Sequence, residues 1–508
     1  MTALMIPKPT ASPENPVKEE AHTSASEAPI GNARPPAAQH VMILGAGPAG
    51  VGAAYQLVRK GIARVTVLEQ RDGVGGNAGS FELDGVYCDY GSHRLHPAAK
   101  AEIMQDLRRL LGKDLLLQTR HGRILLQGRW IHFPLKPMDL LLRLPKTFAL
   151  GVLADMARKL LPRDESGPAT FATVLERGLG RTICREFYFP YARKLWGVNP
   201  EELAVTTAQK RVSGNSFGKM LRKIAGQMPG LKTPGAGRFY YLRRGYGQIS
   251  QCLYEAARDA GAEFKFGARV TAIEREGRRI KAVRYQLGGE EFEVPTRIVW
   301  STIPISLLVR GMRPEPPQDV LEAASRISFR GMILIYLVLD QDRFSSTDTY
   351  YFPEEAIPIS RLSEPKNFSS ASEPRGRTVL CAELPSDPGR PEWEMGDQEL
   401  GNRLCEWMAQ AGLPKPARVT RVVTRRLRQA YPLYRRGYEE CFSRMDGWLG
   451  EIEGVLTFGR QGLFAHDNTH HTLAMAYAAT GCLSPDGRFD HARWAEHRKE
   501  FATHVVED

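Results

Sequence analysis

The chain has 508 residues, 69 lysines and arginines against 57 acidic residues, a net charge of +12, and 42% hydrophobic and 25% charged residues. At roughly 100–200 residues per domain, that length holds two or three domains around a sizeable core, which excludes fibres and small scaffolds that need staples. The positive charge is spread along the chain and favours anionic ligands, but no zinc-finger spacing, RNP-like aromatic motif or long basic run points to nucleic acid, and the 7 cysteines form no C-x-x-C pair, which predicts a reducing, cytoplasmic setting.

Residues 1–39 are rich in Pro, Ala, Ser and Glu and have no apolar h-region, so they read as a disordered leader. Val41-Met-Ile-Leu44 is a short apolar run. It is followed by Gly45-Ala-Gly47-Pro48-Ala49-Gly50, a helical pattern to Lys60, and a second run, Val65 to Leu68, that ends in Glu69. Strand, glycine-rich turn, helix, strand and terminal acid make a dinucleotide-binding βαβ unit. Gly45 suits the tight turn, Gly47 the close approach of a pyrophosphate and Gly50 the packing of helix on strand. The helix N-terminus favours the phosphates, and Glu69 can accept from a ribose.

Residues 100–244 read as mainly helical, with Leu/Arg/Lys patterns at 101–111 and 140–161. Residues 262–304 read as a meander of short strands separated by Gly-containing turns. Residues 331–340 and 378–384 read as strands of a second sheet. A last strand at 454–459 leads through 460–472 into an apolar helix at 473–480. The mixed Leu, Lys and Arg pattern of 133–161 suits either an amphipathic helix packed on a domain or a peripheral contact with the inner membrane face.

After Glu69 come Gly73-Val-Gly75-Gly76-Asn77 and Asp89-Tyr-Gly-Ser-His93-Arg94. Here the sequence resembles the FAD-dependent amine oxidase, protoporphyrinogen oxidase and phytoene desaturase superfamily, with local motifs like those of UDP-galactopyranose mutase. The resemblance implies FAD as cofactor, held by Gly75, Gly76 and Asn77, by His93 and Arg94 beside the flavin, and by Val270 at the adenine. It also implies a C-terminal flavin segment of Gly459, Arg460, Asn468 and Thr469. By the same resemblance Tyr191, Trp196 and Arg211 border the substrate, and Phe464 stands where the mutase carries a phosphate-binding tyrosine. Asn468 and His470 replace a pair of acids in that pattern.

The resemblance thus implies an α/β fold. A discontinuous Rossmann-like FAD domain is expected from 40–98, 245–304 and 450–484, with an inserted mixed α+β substrate domain from 99–244 and 305–449. A C-terminal helical tail is expected from 485–508. The leading function is an FAD-dependent oxidoreductase acting on a small organic molecule. The alternatives are a redox-neutral nucleotide-sugar mutase and a non-catalytic flavin-binding protein. No catalytic acid or base is named. A G-x-S-x-G at 214–218 lacks the apolar strand a hydrolase elbow needs. His466, His470 and His471 have only Asp467 as a nearby acid, so no metal site is expected.

Overall fold

The computed structural model describes residues 39–134, 139, 143–158, 169–211 and 237–506. The first apolar run forms β1 (His40–Leu44), with Val41 to Leu44 wholly buried. Helix α1 (Pro48–Arg59) and strand β2 (Arg64–Glu69) follow. Much later in the chain come α2 (Gln248–Asp259), β3 (Glu263–Phe266), β4 (Ile298–Ser301), β5 (Val455–Thr457), α3 (Thr469–Gly481) and α4 (His491–Ala502). The five strands form one parallel sheet in the order β5-β4-β1-β2-β3.

Such a sheet must be covered on both faces, and the side-chain alternation of β1 shows how. Val41 and Ile43 join the core shared with α1, α2 and α3, whereas Met42 and Leu44 join the core shared with Ile305–Gly311, Gln318–Arg326 and Tyr438–Gly450. Gly52 permits the close packing of α1 on α3, since a Cβ there would stand 2.8 Å from Leu473 Cδ2.

The expected meander is narrower than 262–304. Only Arg269–Glu276, Arg279–Leu287 and Glu290–Pro295 form it, joined by the short Met312–Arg313, while 263–266 and 298–301 belong to the parallel sheet. Local pattern cannot assign short apolar strands to one sheet or another. Residues 331–340 and 378–384 fall as expected in a second sheet of seven strands, where Ser328–Leu339 lies between Thr378–Leu384 and the edge strand Val419–Leu433.

The mainly helical reading of 100–244 holds for most of its described residues but misses four strands. Leu115–Thr119 pairs with Arg238–Leu242, and Gly122–Leu126 and Arg129–Phe133 form the edge of the seven-stranded sheet. Leucine-rich strands mimic helical periodicity over such short runs. The helix expected at 140–161 is observed as Lys146–Arg158, with Leu150 64% and Leu153 59% exposed. Among the described residues no helix is long and apolar enough to cross a membrane. The G-x-S-x-G at 214–218 and the side chain of Arg211 lie outside the described residues.

Candidate functional site

A cleft of about 610 Å³ opens where β1 and β2 end. Gly45 makes the turn at φ +98, donating its N–H to Leu68 O at 2.8 Å. Gly47, Pro48 and Ala49 then line the cleft as α1 begins. Gly47 carries no side chain to cap the helix, so the first-turn amides and the helix dipole remain available to an anion. A Cβ built on Gly47 meets no protein atom within 4 Å, whereas one on Gly50 would lie 1.9 Å from Gly45 O. The first glycine therefore keeps space clear for a ligand, and the second permits the helix to seat on its own turn.

Glu69 is buried, and its two carboxylate oxygens accept from Ala46 N–H at 2.8 Å and Arg71 N–H at 2.9 Å. Each oxygen keeps a further lone pair for a ribose hydroxyl. Gly75 donates to Ala46 O at 2.8 Å, and Gly76 at φ +53 lies so close to Gly47 that a Cβ would stand 3.3 Å from the Gly47 Cα. A dinucleotide's ribose and diphosphate fit this cradle: backbone amides, an acid, and space that only glycines leave open.

Helix α3, the packed neighbour of α1, begins at Asn468, and Asn468, Thr469 and Thr472 line the cleft. Arg460 donates to Asp467 O at 2.9 Å and Ala430 O at 3.2 Å, while Asn77 and Gln461 both donate to Gln429 O. The end of the long strand Val419–Leu433 is thereby tied to both the Asn77 and the Arg460–Gln461 segments.

His93 lines the cleft and stacks on Tyr246 with ring centroids 5.3 Å apart. Its Nε2 lies 3.0 Å from the carbonyls of Asn77 and Tyr90, so Nε2 carries the proton. Burial lowers its pKa, opposed by the charges of Asp89 and Glu383, and burial raises that of Asp89. Arg94 is held by Asp348 Oδ1 at 3.1 Å and Thr349 Oγ1 at 2.7 Å.

Other expected residues stand apart from the cleft. Gly50, Gly75 and Gly459 support it from behind; a Cβ on Gly459 would sit 2.8 Å from the Ala49 Cβ. Val270 pairs with Tyr285 in the meander rather than lining the cleft. Three aromatics expected at the substrate do not line the cleft. Tyr191 packs on Phe187, Trp196 is buried against His466 and Tyr431, and Phe464 is enclosed by Phe329, Tyr434 and Tyr438. Trp196 and Phe464 are buried, as large apolar rings tend to be, while Tyr191 is half-buried.

The histidines also separate. His466 lies over Tyr434 and Trp196, whereas His471 meets Asp467 and a residue the sequence reading did not use, His504. His471 is held neutral, its pKa depressed to about 2 by burial and by His470, His504 and Lys210.

Sequence reasoning missed the cleft wall supplied by the seven-stranded sheet: Met332, Leu334, Arg361, Glu383, Arg426 and Leu427. Glu383 Oε1 accepts from Ser92 N–H at 2.8 Å, and its other oxygen stands 4.0 Å from Arg361 Nε. No local motif marks residues whose common property is the face of a sheet. Arg120 joins them from the turn before Gly122–Leu126.

The family described as flavin-containing amine oxidoreductase matches residues 48–472. The chain is 25% identical to phytoene dehydrogenase of Streptomyces griseus over 57% of this chain and 59% of that protein, so the match spans less than two thirds of this relative. It is 22% identical to coproporphyrinogen III oxidase of Propionibacterium freudenreichii subsp. freudenreichii over 81% of this chain and 84% of that one. Among solved structures, reduced UDP-galactopyranose mutase superimposes with a TM-score of 0.74 at 21% identity, covering 87% of this chain and 93% of the mutase.

Proposed function

The chain belongs to the flavin-containing amine oxidoreductase family and is an FAD-dependent oxidoreductase, and on that premise we propose that it oxidises a small organic substrate bearing negative charge. The observation that carries this reading is the charge of the cleft wall, where seven arginines stand against three carboxylates. The cofactor's diphosphate accounts for part of that excess at the cradle. Arg94, Arg120 and Arg361 lie toward the seven-stranded sheet, where a planar guanidinium suits carboxylate or phosphate. Met332, Leu334 and Leu427 supply the apolar surface against which a carbon skeleton would exclude water.

Gly45, Gly47, Pro48, Ala49, Glu69, Gly76 and Asn77 would hold the dinucleotide, and Asn468 and Thr469 would meet the ring system at the start of α3. FAD supplies the acceptor for the electrons removed from substrate. The protein's part is to bind and orient the anion, exclude water, and keep His93 neutral with its Nε2 proton committed to the Asn77 and Tyr90 carbonyls.

Anaerobic mixing of FAD-loaded enzyme with a panel of carboxylated, phosphorylated and neutral donors tests the proposal. Anionic donors should bleach the flavin in proportion to product, and Arg361→Leu should raise KM far more than it lowers kcat, as expected for loss of uniform binding. Bleaching by neutral amines in preference to anions would overturn the substrate class. The mutase reading draws on the similarity in fold to reduced UDP-galactopyranose mutase. It ranks second because Trp196 and Phe464 face the core rather than the cleft. Furanose formation from UDP-galactopyranose by dithionite-reduced enzyme, without net oxidation, would put it first.

A further inference from the structure

Asp467 lies in the turn before α3 with its side chain 0% exposed, and neither carboxylate oxygen accepts a hydrogen bond from the described residues. A buried carboxylate without hydrogen bonds is costly unless a cation compensates it. Lys210 is close enough to interact electrostatically, but its Nζ is committed to the carbonyls of Phe501 at 3.2 Å and Ala502 at 2.8 Å.

Two imidazoles face the carboxylate instead. His471 Nδ1 is 3.7 Å from one oxygen and His504 Nδ1 is 3.5 Å from the other. The two rings stack 4.1 Å apart at 13°. One donor atom from each of the three residues lies within 4.8 Å of the other two. His504 reaches this place because α4 ends just before it and the chain turns back, with Val506 N–H donating to Lys210 O at 2.8 Å.

We propose that Asp467, His471 and His504 bind a divalent first-row transition ion of the zinc class, which pins the C-terminal tail against the flavin cleft. Two imidazole nitrogens and a carboxylate oxygen are the donor set such ions select over magnesium or calcium. Zinc–ligand distances of ~2.0–2.2 Å would draw the three donors together by about 1 Å. His504, on the tail, supplies that movement, and His471 would exchange the 3.2 Å bond its Nδ1 accepts from Asn468 N–H for the metal. Asp467, Thr472 and Val506 also line the cleft, so the ion would sit at its wall. Its coordination would transmit the position of the tail to the start of α3.

The test uses tag-free, full-length, FAD-loaded protein, stripped with a chelator and titrated calorimetrically with Zn²⁺ alone. A single site with Kd below about 1 µM is expected. Zinc-edge absorption should show nitrogen and oxygen ligands with imidazole scattering. His504→Ala, at the tail and least able to disturb folding, should weaken binding by at least the ~10–100-fold that loss of an outer-shell partner costs, with FAD content unchanged. Asp467→Asn should weaken Zn²⁺ binding to a similar extent. Absence of Zn²⁺ binding by the wild-type protein, or binding undiminished in both variants, would overturn the proposal.

Discussion

Two glycines three positions apart, Gly47 and Gly50, separate ligand space from packing space. A Cβ on Gly47 enters the open cleft, while one on Gly50 collides with the Gly45 carbonyl. Gly47→Val should therefore fold with near wild-type urea stability yet retain little FAD. Gly50→Val should lose about 1–3 kcal/mol or more through overpacking, whether or not cofactor is present. Flavin absorbance after gel filtration, beside urea midpoints of the apo proteins, separates the two effects. Equal FAD retention in both would remove the assignment of Gly47 to the cofactor.

Lys194 is a second residue whose environment has a measurable consequence. Its Nζ donates to the carbonyls of Phe352 and Ile359, and burial drives its pKa from 10.5 down to about 7. Below pH 7 the lysine is protonated in both folded and unfolded chains, and the burial penalty is fully present. Between pH 7 and 10.5 the unfolded chain holds the proton that the folded one has released, so stability rises with pH, by at most ~1.4 kcal/mol per unit. Urea unfolding at several pH values should show the wild type gaining on Lys194→Met across that window. A pH-independent difference between them would refute the depressed pKa.

At the scale of elements, Asp89 at the end of Val86–Asp89 acts as a junction. Its carboxylate accepts from Ser80 Oγ, from Tyr241 OH at 2.6 Å and from Tyr246 N–H at 2.8 Å, while its carbonyl accepts from Tyr336 OH at 2.6 Å. A hairpin, the strand Arg238–Leu242, the approach to α2 and the long strand Ser328–Leu339 of the seven-stranded sheet meet there. Asp89→Ala would strand two buried donors, Tyr241 OH and Tyr246 N–H, costing about 2–4 kcal/mol at typical unsatisfied-donor penalties. Because Tyr246 stacks on His93, flavin fluorescence should change as well. An Asp89→Ala protein with unchanged stability and spectrum would show the junction to be dispensable.

At the scale of the whole molecule, the cleft is lined by residues from five distant stretches, among them Gly47, His93, Thr302, Arg426 and Asn468. A ligand that bridges such distant stretches stabilises the folded chain by mass action, about 4 kcal/mol when free FAD exceeds Kd 1,000-fold. Removing FAD should thus lower the thermal midpoint, and titrating it back should raise the midpoint with the logarithm of FAD concentration. A midpoint indifferent to FAD would mean that the cradle does not hold it.

The sequence by itself determined the glycine-rich turn and its acid. Gly45, Gly47, Gly50 and Glu69 act through backbone geometry inside one βαβ unit, and contacts made over so short a span are written in local order. It also determined the strand at 331–340, because full burial on both faces demands a continuous apolar run. The tertiary structure alone decided which sheet each short strand joins. It alone placed Trp196 and Phe464 in the core and brought Arg361 and Glu383 to the cleft wall. It alone carried His504 back to Asp467. Those outcomes depend on which faces of distant elements are buried together, and burial is a property of the assembled chain, set by the competition of all its apolar surface for one interior.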